Sequence, residues 1–192
     1  METHKKKAKK LGALLIFVDE SGFSLSPIRG TTWAEIGNPP LLRETFARCS
    51  NQSGLGFISV TPTDRKMKFH FTIMDGSCVT EDFIFWLTQL HRHFRNYKKV
   101  MIVWDRLQAH LSAQNFFERV HPDWFCFEYF PSYSPELNPV EQCWQWMKNV
   151  FLTNYVPKDN PELHIRVREA SQNINNNPKL LPSFFQHSNL RL

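Results

Sequence analysis

Paired cysteines are missing from this chain of 192 residues: Cys49, Cys78, Cys126 and Cys143 are its four, far apart and with no CxxC spacing. Their scatter argues against a zinc ribbon or a disulfide framework and for a reducing compartment, the cytoplasm. Long apolar runs are missing as well. No stretch approaches the ~20 apolar residues that span a bilayer, so no membrane partner is expected. The start METHKKKAKK followed by LGALLIFV imitates a signal peptide. Its apolar part is short, lacks a small-residue cleavage site and runs into Asp19-Glu20, so it reads as a buried strand. There is no internal repeat, and no serine or cysteine elbow that would supply a nucleophile. Bulk positive charge is scarce. The formal charge is +5, and Lys5, Lys6, Lys7, Lys9 and Lys10 account for all of it. A nucleic-acid surface on the folded part must therefore come from local clustering of cations.

What the chain does have is apolar mass: 42% apolar residues, seventeen phenylalanines among them. That is enough for one sizeable core and too little length for two independent domains. Residues 1–12 read as a basic arm, 13–177 as the folded domain and 178–192 as a C-terminal tail without clear period. Leu14 to Val18 form a continuous apolar run, as expected for a strand covered on both faces. Residues 24–53 are irregular, with Trp33 in a short strand or the core; a loop of that length inside a compact domain is usually functional. Segments 55–61 and 67–74 read as a hairpin. From Thr80 the spacing of Phe83, Leu87, Leu90 and Phe94 is helical. Val100 to Trp104 is a second apolar strand; a helix near 112–120, a strand near 125–130 and a helix near 161–175 follow. The order predicts an α/β fold: a mixed sheet, with an antiparallel hairpin plus parallel strands, flanked by helices.

Each of the two apolar strands ends in an aspartate, Asp19 and Asp105. A third acid, Glu141, opens the helix that begins at Asn138-Pro139, where Asn138 suits the N-cap and Pro139 the first turn. Ligands of open α/β sheets bind beyond the carboxyl ends of the strands. Parallel, adjacent strands 14–18 and 100–104 would set Asp19 and Asp105 side by side there, with Glu141 completing a carboxylate cluster. Three carboxylates repel one another unless cations neutralise them. Hard divalent ions with oxygen ligands do this, and two of them activate a water or 3′-hydroxyl and stabilise the leaving oxygen in phosphodiester displacement. The structural alternatives are ordinary ones: a strand-end aspartate caps a turn, and Glu141 partners Asn138 in a capping box. Glu20 alternates to the opposite side of its strand from Asp19 and reads as a structural or rim charge. His110 reads equally as a phosphate contact, a support for the site or a surface histidine.

FVDESGF (17–23), VWDRLQAH (103–110) and YSPELNPVEQCWQWMK (133–148) together resemble the three signature blocks of mariner-like DDE transposases, and more closely their bacterial insertion-sequence branch. GTTWAEIGNPP (30–40) is similar to that branch too, and thirty-five residues separate Asp105 from Glu141, close to the interval expected there. The resemblance covers residues 12 to 155, and the third block is its specific part. It implies a ribonuclease-H-like fold, with Asp19, Asp105 and Glu141 as catalytic and metal-holding residues for two Mg²⁺ or Mn²⁺ ions. The implied activity is cleavage and strand transfer of transposon-end DNA, by a homodimer on DNA in a bacterial nucleoid. Loop 24–53 would reach a partner subunit or DNA, with Arg29, Arg43 and Arg48 available for phosphates. Arg106, His110 and Lys148 are the further DNA-binding candidates, Arg106 and Lys148 being placed nearest the scissile phosphate. Such transposases carry helix-turn-helix domains ahead of the catalytic one, whereas only the basic run precedes the first strand here. The expectation is thus either a separate upstream helix-turn-helix chain or domain, or a non-catalytic, truncated remnant that binds DNA. A nuclease for RNA–DNA hybrids would share the carboxylates but leave the third block unexplained.

Overall fold

The computed structural model describes residues 7, 8, 10–39, 41–42, 52–131 and 134–188. Five strands form one sheet in the order β3-β2-β1-β4-β5. They are β1 (Leu14–Phe23), β2 (Gln52–Val60), β3 (Met67–Asp75), β4 (Val100–Trp104) and β5 (Phe125–Tyr129). β1, β2 and β3 are antiparallel, while β4 pairs in parallel with both β1 and β5. The helices are α1 (Thr80–His93), α2 (Gln108–Val120), α3 (Pro139–Trp146), α4 (Asn160–Asn176) and α5 (Leu180–His187). The mixed, ribonuclease-H-like sheet expected from the sequence is the one observed.

Alternation along β1 explains its uninterrupted apolar sequence. Leu14, Ile16 and Val18 pack with Phe83 and Leu87 of α1 and with Ala113 and Phe117 of α2. Leu15 and Phe17 pack on the other face with Val140 and Trp144 of α3, Val167 of α4 and Phe185 of α5. Both faces are covered, so each position is apolar whichever way it points. Fully burying each such side chain stabilises the fold by ~1.5–3 kcal/mol. On α1, Asp82 Oδ2 accepts the Val79 N–H at 2.9 Å, closing the helix start beneath the buried Phe83, Leu87 and Leu90. β3 is the outer strand, and α4 covers part of its edge. The Asn175 carboxamide accepts the Phe69 N–H at 2.9 Å and donates to the Phe69 carbonyl at 2.7 Å, as a neighbouring strand would.

The structure departs from expectation in three elements. β1 does not stop at Val18 but continues to Phe23, because β2 pairs with it through Phe23↔Gln52 after β4 has ended. The second helix begins at Gln108, four residues before the apolar period becomes visible. Within the tail lies α5, which buries Leu181, Phe184 and Phe185 in the core. Trp33 lies in no strand and is fully exposed.

Candidate active site

The paired part of β1 and β4 ends with Phe17 opposite Val103, and continuing that register sets Asp19 next to Asp105. Asp19 follows Leu15 and Phe17 onto the α3 side of the sheet. There the Trp144 indole donates its Nε1–H to Asp19 Oδ2 at 3.0 Å. Phe23, Phe69 and Phe71 meet the indole edge-on, with centroids 5.6–5.9 Å away. Room for it comes from Gly56, the β2 residue opposite Asp19: a Cβ there would lie 2.5 Å from Trp144 Cη2.

Asn138 sets the third acid. Its Oδ1 accepts the Val140 N–H at 3.1 Å, and its Nδ2 donates to the Val18 carbonyl at 3.2 Å. One buried side chain thus caps α3 and fastens it to β1 one residue before Asp19. Glu141 follows within the first turn, and no capping box claims its carboxylate. Asp19, Asp105 and Glu141 line one cleft of about 380 Å³, shared with Arg106, Asn138 and Phe130.

Burial is the first influence on the cleft's two raised acids. Burial, then Glu141, Glu20 and Asp105, push the Asp19 carboxyl up to about 8, against the indole hydrogen bond. Burial also raises Glu141, with Lys148 opposing. Asp105 is lowered, chiefly by its hydrogen bond from His110. After Trp146 the chain widens into a π turn (Met147–Leu152) that carries Lys148, whose Nζ donates to Ser21 Oγ at 2.7 Å and lies 5.5 Å over the Phe23 ring. Burial lowers the Lys148 amine while Glu141 and Asp19 hold it up. π turns recur at functional sites, and this one has no sequence signal beyond the helix it continues.

The other candidates divide. Arg106 lines the cleft and stacks over Tyr129 at 5.0 Å. Lys148 lines the adjoining pocket with Phe23 and Tyr155. Arg29 is exposed at the root of loop 24–53, beside the bridge of Ile28 to Thr153, and lines neither pocket. Arg43 and Arg48 lie outside the described residues, as do Lys5, Lys6 and Lys9. His110 does not line the cleft. It is buried, with Nδ1 2.6 Å from Asp105 Oδ1 and Nε2 2.6 Å from Glu20 Oε1, so both nitrogens are taken. Glu20 is its partner and not a bare rim charge. Spacing hinted at His110, five residues beyond Asp105; the Trp144–Asp19 bond spans 125 residues and left no local trace.

The donor set consists of hard carboxylate oxygens in a cleft short of positive charge, which fits Mg²⁺ or Mn²⁺. Among the described residues no three His, Cys, Asp or Glu side chains are gathered closely enough to hold an ion alone.

A family model described as DDE superfamily endonuclease matches residues 14–164. The chain belongs to the DDE superfamily endonucleases. Solved structures with the same fold include the Mos1 transposase paired-end complex with left transposon end (14% identity, TM-score 0.59, covering 98% of this chain and 59% of that one). The mariner Mos1 paired end complex with Mg is similar at 13% identity and TM-score 0.62, covering 98% of this chain and 58% of that one. The complex with Mn gives 14% and 0.57, covering 100% and 61%. This DDE chain therefore spans about three-fifths of the length of the Mos1 chains. No curated protein matches it.

Proposed function

We propose that this chain is the catalytic domain of a DDE transposase, cutting and joining transposon-end DNA with Asp19, Asp105 and Glu141 as its catalytic acids. The observation that carries the reading is the convergence of these three residues, from β1, β4 and α3, on one cleft at the carboxyl end of the parallel strands. Asp19, Asp105 and Glu141 would hold two Mg²⁺ or Mn²⁺ ions, which would supply activation of a water or 3′-hydroxyl and positive charge for the departing oxygen. The chain's own part is positional. Asp19 is fixed by Trp144, Asp105 by His110 and the Leu107 N–H, and Glu141 by the Asn138 staple. Arg106 lines the cleft with the acids, Lys148 feels the charge of Glu141 and Asp19, and both would meet phosphate oxygens of the strand.

Exposed Trp33, Ile36 and Leu41, beyond the Ile28–Thr153 bridge, support a two-chain assembly on DNA, because a lone chain leaves these side chains in water. A helix-turn-helix segment, in the same polypeptide or a separate chain, would supply end recognition.

The test is Mn²⁺- or Mg²⁺-dependent nicking of a transposon-end duplex by the wild type, Asp105→Asn and Glu141→Gln. The substitutions are expected to abolish nicking while leaving melting within a few degrees of wild type. Full nicking by either variant would overturn the assignment. Duplex binding that is indifferent to chelator, with no nicking by the wild type, would establish the chain as a DNA-binding remnant instead.

A further inference from the structure

Asp105 is the most exposed of the three acids: its side chain is 60% exposed, at the open end of β4, where a carboxylate ordinarily rotates freely. Here it does not have that freedom. Both of its hydrogen bonds fall on one oxygen, Oδ1, which accepts the Leu107 N–H at 2.9 Å and lies 2.6 Å from His110 Nδ1. Oδ2 has no hydrogen-bond partner among the described residues and remains for the cleft that Asp105 lines.

The histidine that sets this orientation is held far more tightly than the aspartate. Its side chain is 1% exposed. Trp104 stacks on the ring at 4.5 Å and 8°, and Phe83 meets it edge-on at 4.6 Å. Its remaining nitrogen, Nε2, sits 2.6 Å from Glu20 Oε1. Glu20 comes from β1, on the side of the sheet opposite Asp19. A chain of contacts thus runs Glu20–His110–Asp105, from the α1–α2 side of β1 across the end of β4 into the cleft. The same two successive residues of β1, Asp19 and Glu20, therefore serve the cleft from opposite faces of the sheet, one directly and one through the ring.

We propose that His110 is a positioning residue for Asp105 and that Glu20 anchors it, so that Asp105 Oδ2 is presented to the cleft in one orientation. This rests on the functional reading above, in which Asp105 is a metal-holding acid. Hydrogen-bonded partners behind a ligand commonly carry 10–100-fold in metal affinity. Neither Glu20 nor His110 lines the cleft.

Two measurements on the full chain test it. The first is Mn²⁺ affinity, read from the electron paramagnetic resonance signal of free Mn²⁺, for the wild type, Glu20→Leu, Glu20→Gln, His110→Phe and Asp105→Asn. Glu20→Leu and His110→Phe are expected to weaken binding about 10-fold or more. Glu20→Gln, which keeps an acceptor for Nε2, should stay within about 3-fold of wild type, whereas Glu20→Leu fills a similar volume without the acceptor, so a role in packing alone would leave both variants alike. Should His110→Phe fail to fold, the two Glu20 variants decide alone. Glu20→Leu binding Mn²⁺ as the wild type does would overturn the proposal. The second measurement needs no metal: the low-field imidazole N–H proton resonances of His110 in chelator. Glu20→Leu should shift or broaden the Nδ1–H resonance that faces Asp105. An unchanged resonance overturns the anchoring, whatever the metal does. If Asp105→Asn binds Mn²⁺ like the wild type, the fault lies in the functional reading, and the resonance alone decides the positioning.

Discussion

The Asp19 carboxyl carries the clearest consequence at the scale of single residues. Its folded-state value of about 8 stands far above the ~3.9 of an unfolded aspartate. A group raised in this way contributes stability that is complete below the unfolded value and is lost as pH rises through the folded one. Without metal, the wild type should lose stability between about pH 4 and 8 through this residue. Asp19→Asn removes the loss, so the difference in melting temperature, variant minus wild type, is expected to widen steadily across that window in chelator. A flat difference would show that Asp19 ionises normally. The same proton must leave when a cation binds, so wild-type Mn²⁺ affinity should climb as pH rises toward 8. Asp19 and Asp105 were legible because an apolar run that ends in an acid is a pattern of the chain itself. Glu20 was legible only in part, for a corresponding reason. Alternation correctly put it on the far side of β1, but only the fold brings His110, ninety residues away, to meet it there.

Within the elements, the decisive feature of the site is a missing side chain. Ser53-Gly54-Leu55-Gly56 looks like a weak stretch of strand, since glycine gives a strand nothing to pack. In the sheet, Gly54 lies opposite Ser21 and Gly56 opposite Asp19. A Cβ at Gly54 would lie 2.6 Å from Phe23, and one at Gly56 within 2.6 Å of two Trp144 atoms. Gly56 clears the space into which α3 presses its indole, and Gly54 makes room for the Phe23 and Phe71 rings that meet the indole edge-on. Gly56→Ala is therefore expected to cost about 1–3 kcal/mol by overpacking and to push Trp144 off Asp19. Gly22→Ala, whose Cβ would meet nothing within 4 Å, is the control and should be nearly neutral. Chemical denaturation of the two variants measures the difference, and equal midpoints would refute the packing role. The α3 start was readable from Asn138 and Pro139 because caps are local chemistry. α5 was not, since eight residues broken by Pro182 show too few turns for a period, and its burial depends on a groove built by distant elements.

For the whole molecule, the sheet and its two helical layers use nearly every apolar run in the chain, and the exception is loop 24–53. Its root is stitched down. The Asn154 N–H donates to the Ile28 carbonyl at 2.8 Å, and Asn154 Oδ1 accepts the Gly30 N–H at 3.0 Å. Beyond that root Trp33 and Ile36 are fully exposed, and Leu41 is nearly so. The sequence suggested a strand or core position for Trp33 because tryptophan is ordinarily buried. The fold instead finishes its core without it, which makes the loop's apolar residues free for a second surface. Replacing Trp33, Ile36 and Leu41 together by alanine removes no contact of the folded core, so denaturation of the single chain should shift by no more than ~0.5 kcal/mol per site. If the loop joins two chains on DNA, the triple variant should bind transposon-end duplex as one chain where the wild type binds as two, as read by the mass of the complex in light scattering. It should also lose cleavage in step with that assembly, although Asp19, Asp105 and Glu141 are untouched. A triple variant that still assembles in pairs would place the contact between chains elsewhere, and one that melts early would show that the loop packs on its own core after all.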